Sequence, residues 1–200
     1  MSSPMSSPAM NLPSEAKREL SGGTVIWLFV VIELLTFGLF FLAFAVARRA
    51  DPETFLAGQA QLHPLMGAIN TGVLLTGGWL AARGVLANRS GDFRFAALSL
   101  AGAAVTGFLF MGIKFSEYLT IFATGVSLST NSFWFFYLFV TGLHFLHVLA
   151  GVGFLIPTAW RANQGAYQGE SASTIEAVAV FWHLVDLIWI FLFPLIYLAR

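Results

Sequence analysis

The sequence predicts an all-α membrane protein, a bundle of five transmembrane helices of the kind packed side by side in a bilayer. Three observations predict it. Of 200 residues, 58% are hydrophobic and 10% charged, where soluble domains carry about 25% charged residues. Apolar runs recur five times, each near the ~20 residues that cross the hydrocarbon core. The loops between them are too short to form a separate domain. Lys+Arg and Asp+Glu number 10 each, so the formal charge is zero. Without a basic surplus, nucleic-acid binding is not expected. Cysteine is absent, which excludes disulfides, thiolate metal sites and thiol catalysis.

The elements follow in order. Residues 1–21 form a polar tail with a tandem Met-Ser-Ser-Pro repeat, too rich in Ser and Pro to bury a core, and are expected to be disordered. The apolar run behind the tail is too long for a signal-peptide core and lacks a small-residue cleavage site. The five spans are expected at residues 24–47, 65–86, 94–111 with an extension to 122, 133–160 and 175–198, within a transmembrane domain over 22–200. Phe29, Phe37, Phe40, Phe41 and Phe44 give the first span a bulky surface for lipid or a partner protein. Gly67, Gly72 and Gly77 on the second, and Ser99, Ala103 and Gly107 on the third, allow close helix approach. Asn131 is placed to cap the fourth span, and Trp134 and Trp160 to mark its interfaces. Ser173 and Glu176 have capping-box spacing, and Pro194 is expected to kink the last turn.

Basic residues set the orientation. Lys17, Arg18, Arg83, Arg89, Arg94 and Arg161 fall on one side; Arg48, Arg49, Lys114 and Arg200 fall on the other. The positive-inside rule then places the N-terminus in the cytoplasm and the C-terminus outside.

Glu33, His144, His147, His183 and Asp186 lie within the spans, where ionisable groups are costly and need partners. At 1.5 Å per residue, Glu33, His183, Asp186 and His147 lie roughly 14, 11–12, 15–16 and 13–20 Å from the inner helix ends. They could form one polar layer near mid-membrane. His144 and His147, and His183 and Asp186, share helix faces at i, i+3 spacing. The layer has three uses open to it. Its members can hydrogen-bond between helices and fix the packing, as buried polar groups must. Three histidines and two carboxylates can ligate a metal or haem. Glu33 or Asp186 can handle protons. Glu117 and Tyr118 close the third span as an interfacial pair, the acid solvated, with Lys114 one turn away to pair with Glu117. His63 is a loop histidine.

The motifs carry a resemblance. Glu176 followed by "FWHLVDLIWIFLF" resembles the C-terminal signature of subunit III of the haem-copper (cytochrome c) oxidases. In the same order, "IELLTFGLFFLAF", "INTGVLLTGG", "FSEYLTI" and "TGLHFLHVLAG" resemble the family's buried-acid helix, its Asn-Thr helix, its Glu-Tyr motif and its His-x-x-His motif. The match covers residues 24–198 and the five-helix form of the family. "DPETFLAGQAQL", "TNSFWFFYLFVTGLH" and "LIWIFLFPLIYLAR" look most similar to the NorE-type proteins, short homologues associated with nitric oxide reductase. Asn131-Ser-Phe-Trp134 departs from the Gly-Ser-Thr-Phe of the oxidase subunit.

The resemblance implies a non-catalytic subunit of a bacterial inner-membrane oxidase or nitric oxide reductase. Such a subunit carries no haem or copper, packs beside catalytic subunit I, holds phospholipid in a cleft and sustains proton uptake. Glu33 would be the family's buried, proton-handling carboxylate, and Glu117 its outer-end acid. His144, His147, Glu176, His183 and Asp186 would form a buried polar network. The alternative is a free-standing transporter or metal-binding membrane enzyme using the layer of Glu33, His147, His183 and Asp186. Discontinuous helices or internal repeats would favour a transporter; the sequence has neither.

Overall fold

The computed structural model describes residues 23–199. The disordered tail expected over 1–21 and the basic residues Lys17, Arg18 and Arg200 lie outside them. The described residues are helical, with no strand among them. Long helices α1 (Thr24–Ala50), α3 (Pro64–Arg89), α4 (Phe93–Ala123), α5 (Ser132–Ala162) and α6 (Ala172–Phe193) follow the five apolar runs, and α6 continues into a π-helical turn, Pro194–Leu198. Five segments are long and apolar enough to cross a membrane. A short helix, α2 (Pro52–Gln59), lies in the first loop.

Local chemistry explains the ends. Asn131 accepts a hydrogen bond from the Trp134 amide at 3.0 Å, the expected cap. Asp92 caps α4 through the Phe95 amide at 3.1 Å. The capping box at Ser173 does not form: its hydroxyl bonds the Glu170 carbonyl, while Glu176 reaches across to Arg89. An arginine partner outbids a backbone amide because both members of the pair are charged. Pro194 lacks the N–H that would continue the α-helical pattern, and the chain goes on as the π turn.

Small residues set the packing. Ser99 and Ala103 of α4 are buried, and α3 and α4 make the most extensive contact in the bundle. Trp182 of α6 is fully buried where one glycine from each of three helices makes room. A β-carbon at Gly77, Gly107 or Gly151 would come within 3.1, 2.7 or 2.8 Å of its indole. Gly72 has no such role, with nothing within 4 Å.

Two expectations change. The phenylalanines of α1 do not make its outer surface. Phe37 and Phe44 are fully buried against the bundle, and the outward face carries Val25, Leu28, Val31, Ile32, Leu35, Leu39 and Leu42. Trp134 is also buried, packed on Tyr137 at 5.5 Å between ring centroids, so of the two tryptophans expected to mark the ends of this helix Trp160 alone is exposed.

The bundle has two distinct ends. One holds the start of α1 with Arg89, Arg161 and Glu176. The other holds α2, Lys114, Glu117 and the π turn.

Candidate functional site

The polar groups of the interior do not form one connected network. They separate into four clusters and a lone histidine, His144.

Glu33 of α1 and His147 of α5 meet across an interhelical gap, with Oε2 and Nε2 3.3 Å apart. The imidazole is oriented on three sides. Its Nδ1 lies 2.9 Å from the Leu143 carbonyl; Phe37 meets the ring edge-on, and Phe181 lies parallel to it. A carbonyl only accepts, so Nδ1 must carry a hydrogen to bond it. Nε2 can then bond Glu33 only if one further proton lies between them, on the carboxyl or on the ring. The pair stands in the wall of an open cleft of about 650 Å³ lined by Ile26, Phe29, Ala150, Phe154, Ala177 and Phe181. It is thus an acid–imidazole pair, partly exposed, in an otherwise apolar cleft between α1, α5 and α6.

His183 and Asp186 lie on the other side of α6, toward α3. They pair with each other, His183 Nδ1 to Asp186 Oδ2 at 3.6 Å, rather than with a neighbouring helix. Gly78 of α3 permits this: a β-carbon there would lie 2.0 Å from Asp186 Oδ2. The second carboxylate oxygen is buried without a hydrogen-bond partner among the described residues.

His144 belongs to neither pair. It is fully buried, stacked on Trp189 at 5.1 Å and edge-on to Phe110 at 5.5 Å, and neither ring nitrogen has a hydrogen-bond partner among the described residues. One turn and its neighbours thus give the two histidines of a single motif different surroundings: an acid for His147, aromatic rings for His144. Glu176 lies at the Arg89 end, where Arg89 Nη2 and Nε donate to Oε1 at 2.6 and 3.1 Å. Among the described residues no group of three His, Asp or Glu side chains is placed to hold a metal ion.

The fourth cluster centres on Lys114, which the sequence offered only as a helix-surface partner for Glu117. Its side chain is 1% exposed. The ammonium donates to Glu117 Oε2 at 2.9 Å, to the Tyr137 hydroxyl at 2.9 Å and to the Tyr197 hydroxyl at 2.6 Å, which uses all three of its N–H donors. Tyr197 donates in turn to Glu117 Oε2 at 2.8 Å. The rings of Tyr118, Tyr137, Trp189 and Tyr197 surround the ammonium at 4.5–5.7 Å. Glu117 is therefore the buried half of a caged ion pair, not a solvated interfacial acid. Tyr118 turns away to donate to Thr141 at 2.8 Å. The i, i+3 spacing of Lys114 and Glu117 was legible; the three aromatic hydroxyl and ring partners, 23 to 83 residues distant, were not.

The motif order, the five spans and the placement of the motif residues meet one external observation. The family described as cytochrome c oxidase subunit III matches residues 16–199. The chain belongs to this family. Its similarity to cytochrome c oxidase subunit 3 of Synechocystis is 31% identity, over 86% of this chain and 72% of the relative. To quinol oxidase subunit 3 of Bacillus spizizenii it is 25% identical, over 94% of this chain and 93% of the relative. A third relative, heme-copper oxidase subunit I+III of Aeropyrum pernix, is 28% identical over 88% of this chain, which matches 22% of that longer protein. This subunit III family chain is a multi-pass membrane protein. The subunit III family accounts for the shared motifs without further assignment to the NorE-type branch.

Proposed function

We propose that the chain is a non-catalytic subunit of a haem-copper oxidase, associated with catalytic subunit I, in which the Glu33–His147 pair holds and passes a proton at the membrane cleft. One observation carries the proposal: an acid and an imidazole 3.3 Å apart, with the distal ring nitrogen engaged by a carbonyl. A hydrogen bond between them would need one shared proton, of the kind a relay must keep available. The cleft is apolar and open to the side, which suits a phospholipid chain lying against the pair. The chain itself is proposed to bring no haem or metal. The site sits in the bacterial inner membrane, with the Arg89 end cytoplasmic, in keeping with the basic residues clustered there. Asn131-Ser-Phe-Trp134 favours a nitric oxide reductase as a second candidate for the catalytic partner.

The test is Glu33→Gln in the assembled complex, followed by activity against pH. Glutamine keeps the shape of the side chain and can donate to Nε2, but cannot transfer the proton. Assembly is expected to persist while turnover slows, most at high pH where protons are scarce. Unchanged activity at every pH would leave the pair a packing contact. The catalytic subunit that copurifies identifies the oxidase or reductase directly.

A further inference from the structure

We infer that the exposed stripe of α6 that begins at His183 is the surface that receives a transmembrane helix of the catalytic subunit, and that this helix presents a hydrogen-bonding side chain to His183 at mid-membrane. The inference rests on the proposed accessory role and adds to it the face of contact and its chemistry.

Helix α6 is buried on most sides by its neighbours. One narrow strip is open, running through His183, Leu187, Ile190 and Phe191, between α1 and α3, both of which pack on α6. Three of these four residues suit lipid. His183 does not. Its side chain is 48% exposed. It stands 11 residues from Ala172 and 10 from Phe193, so it lies ~16 Å and ~15 Å from the two ends of the helix. A hydrocarbon core is roughly 30 Å thick, and His183 therefore sits at its centre.

Depth decides the class of occupant. Ionisable groups inside a membrane face a protein interior or a water-filled cavity, because hydrocarbon offers them no partner. Within the chain, His183 has Asp186 at Nδ1, and among the described residues its half-exposed ring has no further polar partner. Lipid headgroups lie about half a membrane thickness away and cannot reach it. An apolar strip with one hydrogen-bonding group at mid-membrane depth instead matches a second helix that is apolar along its length and polar at one level. Such single polar contacts fix the register of membrane helices. Glu33 and His147 satisfy each other in their cleft, so they make no equivalent demand. The Aeropyrum pernix relative named for subunits I and III together places the two kinds of subunit in one chain, which makes a catalytic-subunit helix the occupant to test.

A photo-crosslinking residue, p-benzoylphenylalanine, is placed at Leu187 or, as control, at Leu98, an exposed residue of α4, and irradiated in membranes holding the whole complex. Leu187 is expected to crosslink to the catalytic subunit and Leu98 to lipid. Crosslinks from Leu187 to lipid alone, or to a second copy of this chain, would overturn the inference while leaving the accessory role standing. Absence of the catalytic subunit from the unaltered preparation would remove both. In parallel, His183→Leu is expected to lower copurification of the catalytic subunit by about fivefold, the factor that one hydrogen bond of ~1 kcal/mol carries. His183→Gln should restore it; the melting temperature of the chain purified alone should stay the same for His183→Gln, whose amide can still donate to Asp186, and fall only slightly for His183→Leu, which removes the partner of Asp186 Oδ2. A His183→Leu chain that unfolds on its own would show that the imidazole serves the bundle's interior and not a partner.

Discussion

Lys114 illustrates why a buried charge must be judged with its partners. Nothing in the run around it distinguishes it from a snorkelling interfacial lysine. In the folded chain it is enclosed, and the enclosure works only because Glu117, Tyr137 and Tyr197 meet every N–H. Removing one charge strands the other. Lys114→Met is expected to destabilise the purified chain by about 3–5 kcal/mol, and the double variant Lys114→Met with Glu117→Gln to recover most of that loss. Thermal unfolding of the single and double variants measures the coupling; additive losses would mean the pair is not a unit. The glycines around Trp182 make a second residue-scale case. Gly107→Ala would drive a methyl to 2.7 Å from the indole and 2.4 Å from Val152, and overpacking of that kind costs about 1–3 kcal/mol. The variant should melt lower, whereas Gly112→Ala, with open space around it, should not.

Among the elements, α2 is the one without a counterpart in the five apolar runs, though its start is written locally. Asp51 accepts from the Thr54 amide at 3.2 Å, and Pro52 occupies the first helical position, where its missing N–H costs nothing. What the short helix does depends on contacts far away. Phe55 is fully buried and meets Phe44 and Phe133 edge-on, and Gln59 donates to the Ile196 carbonyl at 2.8 Å. Helix α2 thereby ties α1 to α5 and to the π turn that carries Tyr197. Phe55→Ala should cost about 3–5 kcal/mol as a core cavity, and hydrogen exchange should rise in the π turn as well as in α2. Exchange confined to α2 would show that it is an independent appendage.

At the scale of the whole molecule, orientation is the property to measure, and the absence of cysteine makes the measurement clean. Ser90→Cys, at the Arg89 end, and Ser129→Cys, between α4 and α5, each introduce a unique thiol. With the cytoplasm at the Arg89 end, an impermeant maleimide should label Cys at position 129 in intact spheroplasts and at position 90 only after lysis. The reverse pattern would invert the topology and with it the side proposed to supply protons to Glu33.

The five spans were determined by the sequence by itself, because length and unbroken apolarity are local properties and a bilayer accepts little else. The cap at Asn131, the close-packing residues of α4 and the i, i+3 pairs at Lys114–Glu117 and His183–Asp186 were legible for the same reason: each depends on neighbours within one or two turns. Which pairs meet across helices was decided by the tertiary structure alone. Similar depth along three helices allowed one polar layer, but depth carries no information about rotation. The rotation of each helix is set by packing, here by Trp182 seated among Gly77, Gly107 and Gly151. That seat turns Phe181 toward His147 and Glu33, and His183, roughly 200° further round the helix, toward α3 and the open strip. Sequence spacing therefore named Glu33, His144, His147, His183 and Asp186 in the membrane interior, and packing sorted them into an acid–imidazole pair, an aromatic-bound histidine and a half-exposed histidine beside a buried aspartate; it also drew in the Lys114–Glu117 pair, which spacing had placed at the interface.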